Sequence, residues 1–187
     1  MRGADGVSEP WNAFLKELDA CATSTVWLEC IGGFVVTMLY GMSRATGDLD
    51  VLEIAPRSMG TLFAEIAGEG GELHRKHGIY LDYVTVAQAP YDYKSPLREI
   101  FPGVFRHIRL MAADPYDLAL TKLQRNIERD RGDVRFLART VPLSLDILRD
   151  RYYSEQRPYL PGNLDSHDLT LQLWIEAIEE DRETQKY

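Results

Sequence analysis

The sequence predicts a mixed α/β (α+β) fold with a C-terminal helical extension, and three features indicate it. Apolar and β-branched segments at 49–54 and 79–86 are typical of strands. Segments with apolar residues at helical spacing lie before and between them. After residue 114 the pattern is helical throughout. Because 187 residues correspond to about one domain, we expect a single compact unit, with an α/β core over 1–112 and an extension over 113–187 packed on it.

The predicted elements follow from spacing and from turn residues. The first helix carries four apolar residues on one face, and these are Trp11, Phe14, Leu15 and Leu18. The later elements up to residue 112 are a strand at 25–29, a buried helix at 34–40, a strand at 49–54, a helix at 58–67 with Ser58 as its N-cap, a strand at 79–86, a loop at 87–96 and a strand at 106–111. Helices are then predicted at 115–126, 129–139, 143–154 and 166–183.

The composition is that of a globular protein and excludes a generic nucleic-acid binder. Hydrophobic residues make up 45% and charged residues 27% of the chain. The net charge of −8 is opposite to the basic face that binding to a phosphate backbone requires. The charge is uneven, however, because residues 94–139 carry ten Lys+Arg against six Asp+Glu, a net +4. A local site for one anionic substrate therefore stays possible.

The chain lacks the sequence features of a membrane or exported protein. No apolar run approaches the ~20 residues of a spanning helix, and the first residues lack the apolar segment of a signal peptide. Cys21 and Cys30 are too few for a disulfide scaffold, and their apolar surroundings predict two buried, reduced thiols. We therefore expect a cytoplasmic protein with no membrane contact.

The segment from Cys30 to Glu53 carries the main chemical signal. A Gly32-Gly33 turn precedes an apolar helix, and an Asp48-Leu49-Asp50 strand follows. Alternation along a strand places Asp48 and Asp50 on one face, and Asp82 lies within a later strand. Each feature has a plain structural explanation, namely a strand-to-helix turn, a solvated strand end and an edge-strand acid. Their joint order instead suggests a site for Mg²⁺, which prefers carboxylate oxygens.

This order resembles that of the DNA polymerase β-like nucleotidyltransferases. Within that superfamily, the run Arg44-Ala45-Thr46-Gly47-Asp48-Leu49-Asp50 is similar to the minimal bacterial nucleotidyltransferases of the AbiEii type, which include toxins of toxin–antitoxin pairs. A later stretch is also similar, with Asp114, Pro115, Asp117 and Lys122 before Arg129, Asp130 and Asp133. The resemblance covers about residues 28–140. The 14 residues between Gly33 and Asp48 slightly exceed the usual spacing.

The resemblance implies a mixed sheet flanked by helices and a transfer of NMP from an NTP to an acceptor hydroxyl. It implies Mg²⁺ or Mn²⁺ at Asp48, Asp50 and Asp82, with Asp82 completing the metal site or acting as general base. The residues implied to contact the nucleotide are Gly32, Gly33, Arg44, Thr46 and Lys122. The implied acceptors are tRNA or another RNA end, a protein or a small molecule, and a cognate antitoxin or toxin is an implied partner.

Several of these roles have alternatives. Arg44 is equally a surface arginine before a strand, and Lys122 a lysine that lays its stem on apolar surface. Asp130 and Asp133 are interpreted as ion-pair partners that orient Lys122, rather than as catalytic groups. For the whole chain, the alternatives are a non-catalytic antitoxin or regulatory module with the same fold and an unrelated α/β binding protein. The sequence has no P-loop and no zinc-ligand spacing.

Overall fold

A computed structural model describes residues 6–84 and 89–184 of the chain. The described residues form two compact units. The first unit contains residues 6–84 and 97–113, and the second contains residues 89–96 and 114–184. The expectation of a single compact unit, with a core over 1–112 and a packed extension over 113–187, stays a prediction.

The first unit contains a five-stranded mixed sheet and four helices. The sheet order is β3-β2-β1-β5-β4, with β1 parallel to β5 and antiparallel to β2. The helices and strands are α1 Trp11–Ala20, β1 Val26–Cys30, α2 Gly32–Tyr40, β2 Asp48–Ala55, α3 Arg57–Ala67, α4 Glu72–His77, β3 Tyr80–Tyr83, β4 Arg98–Ile100 and β5 Ile108–Ala112. The predicted mixed α/β class is confirmed.

Alternation along the strands determines which side of the sheet is buried. In β1 the odd-numbered Trp27 is 47% exposed, whereas its neighbours Val26 and Leu28 are fully buried. In β2, Leu49 and Val51 are likewise fully buried. Helices α2 and α3 pack against β2. The apolar residues therefore form a core on one side, and the intervening polar residues lie on the opposite face of the sheet.

The second unit is helical. It contains α5 Pro115–Leu123, α6 Glu128–Thr140, α7 Leu145–Arg151, a π-helical turn Tyr152–Gln156, a 3-10 turn Arg157–Tyr159 and α8 Leu164–Thr184. Helix α5 begins where Asp114 accepts a hydrogen bond from the backbone N–H of Asp117 at 2.8 Å, with Pro115 in the first turn. Its core is built mainly from α5, α6 and α8 around Trp174.

Several elements differ from the sequence prediction. Helix α4 places His74 and His77 in a helix, and β4 occupies a segment for which no element was predicted. Ser58 is not the N-cap of α3, since the helix begins at Arg57 and Pro56 takes the capping position. Cys21 is exposed, not buried as expected. The predicted strand 79–86 and loop 87–96 each reach into residues 85–88, which lie outside the described residues.

None of the described helices is both long and apolar enough to cross a bilayer.

Candidate active site

Three carboxylates lie on the polar face of the sheet in the first unit. Strands β2 and β3 are parallel, and Asp50 is the register partner of Asp82. Paired residues on neighbouring strands have their backbones about 4.8 Å apart, and Asp48 precedes Asp50 by two positions on the same face. Leu49 and Leu81 alternate with these acids along their strands, and both leucines are buried. The structure thus brings Asp48, Asp50 and Asp82 to one face of the sheet, which alternation predicted for Asp48 and Asp50.

Thr46 holds the first of these carboxylates. Its hydroxyl donates a hydrogen bond to Oδ1 of Asp48 at 2.6 Å. Thr46 is 8% exposed, and the bond is partly buried. Thr46 therefore limits the rotamers of Asp48, which is the role of a positioning residue.

Gly32 makes room for the second carboxylate. It has φ +73, and a Cβ at this position would lie 1.7 Å from Oδ2 of Asp50. The backbone N–H of Ile31 also donates to the carbonyl oxygen of Asp50 at 3.0 Å. Since Gly32 and Gly33 are the first residues of α2, the Asp50 carboxylate lies at the positive end of that helix. Only glycine permits this approach.

Negative charge accumulates around the third carboxylate. Burial and the charges of Asp48 and Glu69 raise the pKa of Asp82 above its ordinary value. Burial, followed by the same two charges, also raises the pKa of Tyr80. Glu69 was missed from the sequence because it lies in the Gly68–Gly71 turn, far from the other acids along the chain. Its position between glycines gives no sign of its spatial neighbours.

The donors on this face fit a hard divalent cation that keeps solvent and substrate ligands. Carboxylate oxygens suit Mg²⁺, which usually takes one or two of them and fills the remaining positions with water and phosphate oxygens. Among the described residues, no three His, Cys, Asp or Glu side chains form a ready-made metal cluster. The arrangement is therefore compatible with a site completed by substrate and does not enclose an ion by itself.

Arg44 lies in the connection between α2 and β2. Its carbonyl oxygen accepts a hydrogen bond from the hydroxyl of Thr37 at 3.2 Å, and the residue is half-buried. This contact ties the connection back to α2. The backbone that carries the Arg44 side chain is thus held in place, at a point of the sequence between Gly33 and Asp48.

Lys122 belongs to the second unit, where it is 6% exposed. Its Nζ lies 2.8 Å from Oδ2 of Asp133 and 3.7 Å from Oδ1 of Asp130. Both carboxylates are fully buried. The predicted ion pair between Lys122 and the acids of the next helix is confirmed. Asp133 lies in direct contact with the ammonium group, and Asp130 adds a more distant negative charge.

A second cation completes this network. Arg125 donates from Nε to Oδ2 of Asp130 at 2.9 Å and from Nη2 to Oδ1 at 2.7 Å. Burial alone would raise the pKa of Asp130, but the bonds from Arg125 and the charge of Lys122 hold that pKa below its usual range. Asp130 and Asp133 are therefore counter-ions of Lys122 and Arg125.

Arg151 forms a further cluster in the second unit that no sequence motif indicated. It pairs with Asp114 at 3.0 Å, with Asp117 at 2.6 Å and with Glu155 at 3.0 Å. Asp117 is fully buried, and its Oδ2 has no hydrogen-bond partner among the described residues. Burial and the neighbouring charge of Asp114 raise the pKa of Asp117 to about 7. The guanidinium of Arg151 thus forms ion pairs with three carboxylates.

Comparison with known families assigns the chain. Residues 13–182 match a family described as "Nucleotidyltransferase of unknown function (DUF6036)". The chain belongs to this family. The matched span takes in Gly32, the three carboxylates of the sheet and Lys122, and so includes most of both units. No curated protein and no solved structure gives a significant match. A nucleotidyltransferase family is therefore shown, whereas a place within the AbiEii type is not.

Proposed function

We propose that the protein transfers an NMP from an NTP to an acceptor hydroxyl with the help of Mg²⁺ or Mn²⁺. The observation that carries this proposal is the meeting of Asp48, Asp50 and Asp82 on one face of the sheet. Membership of a nucleotidyltransferase family supports the reaction class. Burial and then the like charges of Asp48 and Glu69 raise the pKa of Asp82, and these like charges support a requirement for a cation.

Each residue of the site has a separate task in this proposal. Asp48, oriented by Thr46, and Asp50, seated against Gly32, hold the metal. Bound Mg²⁺ supplies charge neutralisation for a triphosphate and activation of an attacking oxygen. Asp82 completes the metal site or accepts the proton of the acceptor hydroxyl, a task to which its raised pKa is suited.

The remaining predicted residues bind phosphate in this proposal. The backbone N–H groups at Gly32 and Gly33 begin α2 and suit phosphate oxygens. Arg44 supplies a positive charge from a backbone tied to α2. Lys122, whose ammonium group lies beside Asp133 in the second unit, is a phosphate contact only on the strength of the family resemblance.

The narrower assignments are also proposals. The similarity of residues 44–50 to the AbiEii type supports a bacterial enzyme of that kind, acting as the toxin of a toxin–antitoxin pair, with ATP or another NTP as donor. The net +4 over residues 94–139 supports an RNA acceptor such as tRNA. The two free cysteines support a reducing compartment, the cytoplasm.

The decisive experiment is transfer of label from each α-³²P-NTP to total RNA or to protein, with and without Mg²⁺. Wild type is expected to label one acceptor class, and Asp48→Asn and Asp50→Asn are expected to lower the rate by about 100-fold or more, because each removes a metal ligand. Asp146→Asn is the matched control, since its side chain is 94% exposed on α7.

Two outcomes would overturn the proposal. The first is the absence of Mg²⁺-dependent NTP binding to wild type by calorimetry. The second is labelling that survives in both Asp48→Asn and Asp50→Asn. If NTP binding is absent and Asp48→Asn has the same effect on cell growth as wild type, the protein is instead a non-catalytic module with the same fold.

A further inference from the structure

Tyr80 lies at the β3 edge of the candidate active site and has no task in the proposed function. It is the register partner of Asp48, just as Asp82 is the partner of Asp50. Its backbone N–H donates to the carbonyl oxygen of Gly47 at 3.0 Å. Positions two apart on a strand share a face, so the half-buried Tyr80 lies beside Asp48 on the face that carries the three carboxylates.

His74 packs against the ring of Tyr80. The two ring centres are 5.0 Å apart, and the ring planes are tilted at 53°. Nδ1 of His74 accepts the backbone N–H of Gly70 at 2.7 Å, so the imidazole is neutral and its proton is on Nε2. This bond fixes His74 relative to the turn that precedes α4. The Tyr80 ring is therefore supported by a side chain that is itself held in place.

The hydroxyl of Tyr80 is an uncharged group among acids. It is protonated at neutral pH, and a protonated hydroxyl both donates and accepts hydrogen bonds. The carboxylates whose charges act on it include Asp48, Glu69 and Asp82. A further anion beside Tyr80 is therefore disfavoured, whereas a neutral group that carries hydroxyls finds an aromatic face, a donor and several acceptors there.

The order of the strands separates Tyr80 from Gly32. Strand β2, with Asp48 and Asp50, lies between β1 and β3. Gly32 begins α2 just after β1, whereas Tyr80 and Asp82 belong to β3. Neighbouring strands are about 4.8 Å apart. The carboxylates of β2 therefore have the positive end of α2 on one side and Tyr80 on the other.

In-line transfer assigns these two sides to different substrates. In the proposed reaction the bond from the acceptor oxygen to the α-phosphorus forms as the bond to pyrophosphate breaks, and the two oxygens lie on opposite sides of the phosphorus. The proton of the acceptor passes to Asp82 or to solvent. The N-terminus of α2 at Gly32 suits the phosphates that leave. The acceptor therefore approaches from β3, where Tyr80 lies.

We propose that Tyr80 contacts the acceptor with its ring and its hydroxyl, and that His74 is the positioning residue that holds the Tyr80 ring there. The part of the acceptor that this edge fits is neutral and bears hydroxyls, because Glu69 and Asp82 disfavour a phosphate at Tyr80. The proposal rests on the proposed function, since it requires NMP transfer at the carboxylates of β2.

Two measurements on the full-length protein distinguish the acceptor side from the NTP side. Calorimetry with Mg²⁺ and the α,β-methylene analogues of the NTPs measures binding without turnover, and Tyr80→Ala and His74→Ala are expected to bind within about twofold of wild type. Label transfer from α-³²P-NTP is then measured at increasing amounts of total cellular RNA, total cellular protein and a small-molecule extract, each separately. Tyr80→Ala is expected to raise the acceptor concentration that gives half the maximal rate by about thirtyfold, the effect of losing an aromatic contact that anchors a ligand.

Further variants separate the ring from its hydroxyl and from its support. Tyr80→Phe keeps the ring and is expected to change the same concentration by about fivefold or less, since it loses one neutral hydrogen bond. His74→Ala is expected to raise it by about fivefold, and His74→Phe, which keeps a ring against Tyr80, to recover most of this loss. Tyr83→Ala is the matched control, because Tyr83 is 42% exposed on the same strand and alternation places it on the opposite face.

The proposal is overturned if Tyr80→Ala weakens binding of the NTP analogue as much as it affects the acceptor, since Tyr80 would then lie on the NTP side. It is also overturned if Tyr80→Ala transfers label with the acceptor dependence of wild type. Tyr80→Leu, which has an apolar side chain and no ring, replaces the alanine variant if circular dichroism shows that the latter is unfolded. A wild type that labels none of the three fractions overturns the proposed function as well, whereas failure at Tyr80 alone leaves NMP transfer at Asp48 and Asp50 unaffected.

Discussion

The buried carboxylates of the second unit and the accessible carboxylates of the first unit have neighbours of opposite charge. In the second unit, Asp130 and Asp133 are fully buried, and Lys122 and Arg125 neutralise them. In the first unit, the charges beside Asp82 are those of Asp48 and Glu69, which are also negative. Burial raises the pKa of both groups. For Asp130 the bonds from Arg125 and the charge of Lys122 outweigh it and lower the pKa, whereas for Asp82 the charges of Asp48 and Glu69 add to it.

This contrast separates a structural network from a candidate site. A charge taken out of water must be paired by the protein, and the second unit does so with its own residues. Like charges held together on an accessible face weaken the fold slightly, and a bound cation offsets this repulsion. An external cation is therefore expected to act on the first unit and not on the second.

The largest expected effect is on the buried pair of the second unit. Asp133→Asn removes the closer counter-ion of Lys122, and we expect the free energy of unfolding to fall by about 3 kcal/mol, as when one partner of a buried ion pair is lost. Urea denaturation followed by circular dichroism measures this change. The double variant Lys122→Met/Asp133→Leu is expected to recover most of the loss. A decrease below about 1 kcal/mol for Asp133→Asn would contradict the interpretation of a structural pair.

The backbone of the first unit gives the next effect. Gly32→Ala forces a left-handed conformation on alanine and places its Cβ on the Asp50 carboxylate. We expect a loss of about 2–3 kcal/mol, measured by urea denaturation, from backbone strain and displacement of Asp50. Gly47→Ala is the control, because nothing lies within 4 Å of its added Cβ. Equal stability of the two variants would show that Asp50 is not held by this close approach.

The ion pairs of Arg151 allow the effect of a buried carboxylate on stability to be tested by changing the pH. The pKa of Asp117 in the folded state is about 7, above its ordinary value of 3.8, so the folded chain holds this proton more tightly than the unfolded chain. The stability that the proton contributes is complete below pH 4 and is lost as the pH rises to 7. We expect a loss of about 2 kcal/mol relative to Asp117→Asn.

Urea denaturation of wild type and Asp117→Asn from pH 4 to pH 8 measures this loss. Similar stability at pH 4 and a less stable wild type at pH 8 are expected. Asp146→Asn, whose side chain is 94% exposed, provides the control without a pH trend. If wild type instead gains stability over this range relative to Asp117→Asn, the charge of Arg151 has a larger effect on the pKa of Asp117 than burial has.

Sequence periodicity predicted the long elements because each carries its own apolar pattern. Strand β4 (Arg98-Glu99-Ile100) and helix α4, with Leu73 as its buried residue, were missed since one apolar residue has no period. Both elements are determined by tertiary contacts: β4 pairs with β5, and α4 packs on α1 and α3.

The candidate site divides in the same way. Alternation was enough to predict that Asp48 and Asp50 share a face, and a strand pattern placed Asp82. Glu69 and Arg151 were not predictable, because a turn and a distant helix bring them to their neighbours. The reason why residue 32 is glycine was also not predictable, since a glycine before a helix has several explanations and the close approach of Asp50 is seen only in the fold.

The smallest effect tests the first unit directly. Asp82→Asn removes one of the negative charges that face Asp48 and Glu69, and without divalent metal we expect it to raise the free energy of unfolding by about 0.5 kcal/mol, the range for exposed charge pairs. Glu69→Gln is the matched variant, expected to stabilise similarly and to lower the pKa of Asp82 toward its ordinary value in an NMR titration. Thermal unfolding with and without Mg²⁺ then distinguishes the repulsion between these carboxylates from their binding of the metal. Mg²⁺ is expected to stabilise wild type and Glu69→Gln, but Asp82→Asn less. If Asp82→Asn destabilises the chain without metal, the acids of the first unit are not in repulsion, and the contrast between the two units fails.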